Sequence, residues 1–499
     1  MYGWDSSQLR HHHLRTNNEN QQYVKAERKV YQNILECVGN TPLVKLNKIP
    51  KEYGLECEIY AKCEYFNPAG SIKDRIALAM LKDAESVGVV HKDTIFAEPT
   101  SGNTGIAVGF VASLRGNHSI ITTSVKNSDD KVNTMRLIGS EVIQCKVTES
   151  STAITRKIKD ADPKHVVMLS QFENDANPRT HYEHTAMEII DALGDVDMVV
   201  MGAGTGGTMS GVGNRMKEHN KNCLVIAAEP DGSTMFNKKG KKHPYLVEGI
   251  GGSTPPIVVD VTIIDDIEVV TDEEAFLMAR ELCKKEGFLC GGSSGLAMVA
   301  ALKAAKHRNL KAGQRVVVIL PDGIRNYMSK FVSAQWMEAY RFLKPPEHTM
   351  SWWKTAVTDL ETPEYPVINT GFTCAQALRS MSNLSLAIVV DGKGYYVGVA
   401  SKDGFRNYAT NPTKLPGKKS DEFDFDSPVT DHLVKHVYTL ALNSKKGMPT
   451  IGLLSRVLDI SPFVVIGNEA ADGEHFTVEG VATSDDVLNY IYQHSPTKN

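Results

Sequence analysis

Lys73 stands in the string Asn67-Pro-Ala-Gly-Ser-Ile-Lys-Asp-Arg75, where a strand pattern gives way to an amphipathic helix pattern. A primary amine so placed can join covalently to an aldehyde. Two glycine-rich segments follow, Thr100-Ser-Gly-Asn-Thr-Gly105 and Gly202-Ala-Gly-Thr-Gly-Gly-Thr208. Each runs from a strand-like stretch into a helical one, and backbone amides at a helix N-terminus receive anions. A lone lysine at a helix start is most often a solvated one. A lysine accompanied by two anion cups suggests a Schiff base to pyridoxal phosphate.

The cups differ in chemistry. In the first, Thr100, Ser101, Gly102 and Thr104 offer hydroxyls and amides to a carboxylate, and Asn103 adds an amide suited to a ring hydroxyl. In the second, Gly204, Thr205, Gly206, Gly207 and Thr208 suit a single phosphate monoester. No lysine precedes Thr208, so it is not a nucleotide P-loop. A dinucleotide fingerprint also fits poorly, although Glu229 ends the next strand. A third segment, Leu289-Cys-Gly-Gly-Ser-Ser-Gly295, places a serine hydroxyl where a ring nitrogen could meet it. A fourth, Leu320-Pro-Asp-Gly-Ile-Arg-Asn-Tyr327, puts Asp322 at the carboxyl edge of a strand.

These segments need a scaffold. Strand-like runs at 58–62, 94–97, 118–122, 198–201, 224–228 and 315–320 alternate with helical patterns at 72–85, at 106–112 and from 209 onward. Such alternation predicts an α/β fold with parallel sheets covered on both faces. Near residue 341 the texture changes, with Pro345-Pro346 and Trp352-Trp353. Beyond lies a repeat: Thr373 opens a helix, then come strands at 387–390 and 398–401. The order recurs from Thr450, with strands at 463–466 and 480–483. Tandem helix-strand-strand-helix units pack as a pair. The expected division is a disordered tail (1–32), a catalytic domain (33–340), a linker (341–358) and a paired module (359–499). The polar stretch Lys414 to Asp426 reads as a flexible loop.

A net charge of −4 gives no reason to expect nucleic acid as a partner. No apolar run spans a membrane, and no signal peptide is evident. Eight cysteines, at 37, 57, 63, 145, 223, 283, 290 and 374, form no C-x-x-C pair. The expectation is a reduced, cytoplasmic protein without a metal site; the His11-His12-His13 run reads as exposed tail.

The motifs at 67–74, 98–105, 204–208, 248–251 and 291–295, in that order, resemble the β-family of pyridoxal-phosphate enzymes. Within it, Leu320-Pro-Asp322 and Arg325-Asn-Tyr-Met-Ser-Lys-Phe331 resemble the branch that joins L-serine to L-homocysteine, yielding cystathionine. The C-terminal repeat resembles a Bateman module. The resemblance implies a fold-type II core of two three-layer subdomains, followed by tandem βαββα units.

It also implies that Lys73 carries the cofactor, Asn103 bonds its ring hydroxyl, Gly204 to Thr208 hold its phosphate and Ser293 faces its ring nitrogen. Thr100, Ser101, Gly102, Thr104, Gln171 and Gly249 would hold substrate. Thr483 and Asp486 would bind the ribose of an adenosyl ligand such as S-adenosylmethionine. A homodimer or higher homo-oligomer and cysteine biosynthesis, with hydrogen sulfide as a further product, are implied too.

Three departures matter. Phe172 and Gly252 stand where that branch usually has tyrosines, which resembles instead the cysteine synthases that use O-acetylserine and sulfide. The first repeat, Ser401-Lys-Asp-Gly404, lacks the terminal aspartate. The first cysteine, Cys37, lies already inside the catalytic start, so no haem arm is expected. The alternatives to the leading reading are a cysteine synthase, a weakly catalytic adenosyl-ligand sensor and a serine or threonine dehydratase.

Overall fold

The computed structural model describes residues 30–124, 127–145, 150–410 and 423–494. Most of the expected tail and most of the polar loop at 414–426 lie outside the described residues. Ten strands build the larger part of the chain. They are β1 (Leu43–Lys45), β2 (Glu58–Cys63), β3 (Ile95–Pro99), β4 (His118–Ser124), β5 (Glu141–Cys145), β6 (Val166–Met168), β7 (Met198–Gly202), β8 (Leu224–Pro230), β9 (Asp266–Val270) and β10 (Arg315–Leu320). Six form a sheet of order β1-β2-β10-β7-β8-β9, parallel except for edge strand β1. Four form a parallel sheet of order β5-β4-β3-β6.

Side chains alternate across a strand, so an unbroken apolar run must be covered on both faces. Strand β10 shows this directly. Val316, Val318 and Leu320 pack with Leu296, Ala300 and Ala304 of the helix Gly292–His307. Val317 and Ile319 face the other way, toward Met209, Val212 and Met216 of the helix Gly207–His219. In the smaller sheet, Phe96 and Ile121 bury Ile76, Met80 and Leu81 of the helix Lys73–Ser86. Ala97 and Ile143 bury Ile158 on the opposite face. The fold is α/β with two three-layer units, as the alternation predicts.

The C-terminal part repeats one pattern. The first unit holds β11 (Val367–Asn369), the helix Cys374–Met381, β12 (Leu386–Val390), β13 (Tyr396–Ser401) and the helix Lys402–Thr410. The second holds β14 (Tyr438–Ala441), the helix Ile451–Leu458, β15 (Phe463–Glu469), β16 (Phe476–Thr483) and the helix Ser484–Gln493. In each sheet the first strand runs parallel to the second and the second antiparallel to the third. Leu386, Ile388 and Val399 pack against Phe463, Val465 and Val481, so each unit covers the other's apolar face. The segment between the two parts is docked: Ile451 N–H donates to Thr355 O at 2.9 Å, and Trp353 Nε1 donates to Pro346 O at 3.1 Å. Among the described residues, no helix is long and apolar enough to cross a membrane.

Candidate active site

Loops at the carboxyl ends of β2, β3, β7 and β10 converge on one cavity of about 940 Å³. Open parallel sheets place ligands at such ends. Lys73, Thr100, Ser101, Asn103, Thr104, Gln171, Gly204, Thr205, Gly206, Thr208, Gly249 and Ser293 all line it. Gly102 and Gly207 lie in the same loops, outside the lining itself, where a side chain would find no room. A Cβ on Gly102 would sit 2.2 Å from Lys131 Cδ, and one on Gly207 would sit 1.9 Å from Asn177 Oδ1. Thr483 and Asp486 are elsewhere, at the start of the last helix.

The backbone before Lys73 is tied to the end of β10. Ser71 pairs with Asp322 in an antiparallel bridge, and Ile72 N–H donates to Pro321 O at 2.8 Å. Asp74 Oδ2 accepts from Ala69 N–H at 2.6 Å and fixes the turn from the other side. Burial lowers the Lys73 pKa to about 8, against a smaller upward pull from Asp322. Its Nζ makes no hydrogen bond to any described residue. An amine that is easily deprotonated and has no structural partner is suited to bond formation.

The loop after β3 is held from beneath. Burial raises Glu98 to about 7 although it accepts the N–H groups of Gln171 (3.0 Å) and Ser170 (2.9 Å). Ser170 sits at φ 59°, a left-handed conformation kept by those bonds. Gln171 in turn donates from Nε2 to Pro99 O at 2.9 Å and accepts from Thr104 Oγ1 at 2.7 Å. Glu98 therefore fixes Gln171, which fixes Thr104.

The loop after β7 is a close-packed glycine cup. A Cβ on Gly204 would sit 2.2 Å from the Gly249 carbonyl oxygen, and Gly206 has φ 82°. The first N–H groups of the helix Gly207–His219 have no intrahelical acceptor and face an anion by geometry. Thr208 Oγ1 lies 3.2 Å from His181 Nε2, whose Nδ1 lies 2.9 Å from Thr185 Oγ1. Burial holds the His181 pKa well below the usual imidazole range, so it supports the cup as a neutral ring.

The chain matches the family described as pyridoxal-phosphate dependent enzyme over residues 34–322. A cystathionine β-synthase of Apis mellifera is 37% identical, over 94% of this chain and 93% of that protein. One from Dictyostelium discoideum is 40% identical, over 94% of each. The chain belongs to the cystathionine β-synthase family. It is a pyridoxal-phosphate-dependent enzyme. Among solved structures it is similar to an O-acetylserine-dependent cystathionine β-synthase of Helicobacter pylori (35% identical, TM-score 0.57, 61% of this chain and 99% of that one). It is also similar to a hydrogen sulfide-producing enzyme of Fusobacterium nucleatum (37%, TM-score 0.57, 60% of this chain and 100% of that one).

The residues present fit the cofactor of this cystathionine β-synthase family member. The cavity holds one unpartnered amine, one anion cup that side chains would block, and a serine hydroxyl at Ser293. No cluster able to hold a metal ion is found among the described residues.

Several contacts around the site escape motif reading. Lys131 bonds Glu248 at 2.5 Å, Lys330 bonds the same carboxylate, and the Lys131 ammonium lies 4.5 Å from the Tyr327 ring centroid. Lys435, His436, Val437 and Tyr438 of the C-terminal part also line the cavity. Lys435 Nζ also donates to Gln144 Oε1 at 2.9 Å. Glu98 left a signal of its own, a charge at the end of the apolar strand β3.

Gly252 opens the other side. A Cβ there meets only Met235 Cε, at 3.1 Å, and a second cavity of about 380 Å³ begins beside it, walled by Phe172, Met235, Pro255 and Ile257. In the module, Thr483 N–H and Oγ1 both donate to Asp486 Oδ2 at 2.7 Å. Ser401, at the matching place, caps Gly404 N–H at 3.0 Å with no carboxylate.

Proposed function

We propose that this enzyme condenses L-serine with L-homocysteine, giving cystathionine and water. The observation that carries the reading is similarity to cystathionine β-synthases over 94% of the chain, C-terminal module included. Bound pyridoxal phosphate supplies an electron sink that acidifies the α-hydrogen of an amino acid joined to it. Gly204 to Thr208 hold its phosphate, Asn103 and Ser293 its ring oxygen and nitrogen. Thr100, Ser101, Gly102, Thr104, Gln171 and Gly249 hold the serine carboxylate. Lys73 would take the α-proton; the proton lost when the homocysteine thiol ionises goes to the β-hydroxyl, which departs as water, and the thiolate adds at the β-carbon. Lys73 would then return the proton to the α-carbon.

A second reading rests on Gly252 and the cavity beside it, which leave the second-substrate side open. On that reading the enzyme takes O-acetylserine and sulfide. Purified enzyme should turn over serine and homocysteine with the higher kcat/KM. A higher value for O-acetylserine and sulfide would reverse the assignment.

The Thr483–Asp486 pair is read as the ribose end of a single adenosyl site. Support comes from the carboxylate at one repeat and its absence at the other. Binding stabilises the folded chain by mass action. A hundredfold excess of S-adenosylmethionine over its Kd should therefore stabilise by about 2.7 kcal/mol. The rise in unfolding temperature should disappear in Asp486→Asn. An unchanged rise in that variant would place the ligand elsewhere.

A further inference from the structure

Asn103 begins the helix Asn103–Arg115 and lines the cavity with Lys73 and Ser293. Its carboxamide is locked at both ends. Oδ1 accepts from Asn326 Nδ2 at 2.9 Å, and Nδ2 donates to Asp322 Oδ2 at 2.7 Å. The same Oδ2 accepts the Tyr327 hydroxyl at 2.5 Å. Asp322 is 1% exposed, and its Oδ1 has no hydrogen-bond partner. A Cβ on Gly291 would lie 2.1 Å from that oxygen, so the loop bearing Ser293 packs directly on the carboxyl group.

Donor and acceptor accounting follows. An asparagine amide nitrogen carries two hydrogens, and its oxygen carries none. Asp322 Oδ2 accepts the Tyr327 hydroxyl, and its second lone pair presents an acceptor to Asn103. Asn326 presents a donor. The orientation that satisfies this network sets the Asn103 nitrogen toward Asp322 and its oxygen toward Asn326. One N–H remains for whatever occupies the cavity.

We propose that Asp322 and Asn326 are positioning residues that hold Asn103 with a donor, never an acceptor, toward the ring oxygen of the cofactor. This rests on the reading that Asn103 meets that oxygen. A donor there favours the ring oxygen as an anion, because hydrogen bonding to the charged form stabilises it. An acceptor there would favour the protonated hydroxyl.

The test is the absorbance of the loaded enzyme and the affinity of the apoenzyme for the cofactor. In Asp322→Asn the new amide can offer either end, so Asn103 can turn over. The yellow band of the ring-oxyanion form should fall, and the near-ultraviolet band of the hydroxyl form should rise. Cofactor Kd should increase about tenfold, the weight of one lost hydrogen bond to a charged group. Asn326→Ala, which frees the other end, should shift the bands the same way. It carries the test should Asp322→Asn not fold. Unchanged bands in these variants, with Asn103→Ala shifting them, would overturn the positioning role alone. Unchanged bands in Asn103→Ala as well would overturn the underlying contact.

Discussion

Lys73→Ala is expected to remove the visible absorbance of the lysine-linked cofactor and to lower turnover at least about ten-thousandfold, since nucleophile and proton carrier vanish together. The pH dependence gives a sharper measurement. Only a neutral amine attacks a carbonyl, and burial brings the Lys73 pKa down to about 8. Cofactor uptake by the apoenzyme should accelerate up to about pH 8 and then level. An ordinary lysine, with a pKa of about 10.4, would keep accelerating well beyond that. The stability of the apoenzyme carries the same sign. Between about 8 and the usual 10.5, the unfolded chain holds a proton that the folded amine has lost. Unfolding free energy therefore rises with pH across that window. Lys73→Met should flatten the rise. Uptake that climbs without levelling, or a slope that survives Lys73→Met, would mean that another amine does this work.

The parallel scaffold was readable because its strands leave an unusual trace. Arg315-Val-Val-Val-Ile-Leu320 is apolar on both faces, and it matches β10 residue for residue. The helix expected at 72–85 is Lys73–Ser86, and the two anion cups were marked by glycines that no other residue could replace. Strand β9 was missed because Asp266 and Glu268 interrupt its pattern; it is the edge strand beyond β8, where one side of the ladder is unpaired. The locked Asn103 was beyond reach for another reason. Asp322 is 219 residues away in sequence, and Lys435 meets Gln144 across 291. Single residues that meet only through the fold carry no periodicity. Asp322 could be placed at a strand end, but not its partner. The module's share of the cavity lining is legible only from the packed chain, because no motif records which faces of two domains touch.

Arg75→Met is expected to be the most destabilising single change near the site, by about 3–5 kcal/mol, because it leaves buried charge uncompensated. Two residues past Lys73, the guanidinium bonds Glu64 through Nε (2.7 Å) and Nη2 (2.9 Å), and Glu188 through Nη1 (2.7 Å) and Nη2 (2.7 Å). Lys62 Nζ adds a bond to Glu188 at 2.6 Å and one to Thr41 O at 2.7 Å. The side chains of Arg75 and Glu64 are 2% and 0% exposed, so water cannot replace a lost partner. The surface pair Arg156–Glu173, at 60% and 50%, is the contrast: Arg156→Ala should change stability by no more than about 1 kcal/mol.

The pH sign is the same as that of Lys73, in an acid window. Burial alone would raise the Glu188 pKa, but Arg75 and Lys62 overcome it and hold it at about 2. Its contribution is present above the ordinary carboxylate value of 4.5 and is lost as pH falls toward 2. Thermal unfolding of the two variants beside wild type decides the matter, and equal shifts for Arg75→Met and Arg156→Ala would refute the argument. Adding Glu64→Gln to Arg75→Met should recover part of the loss, since the penalty lies in the stranded carboxylate and not in the missing attraction. The helix that begins at Lys73 is thus anchored within its first turn, through Arg75, to Thr41, Glu64 and Glu188. That anchoring lets the lysine itself remain unpartnered in the cavity.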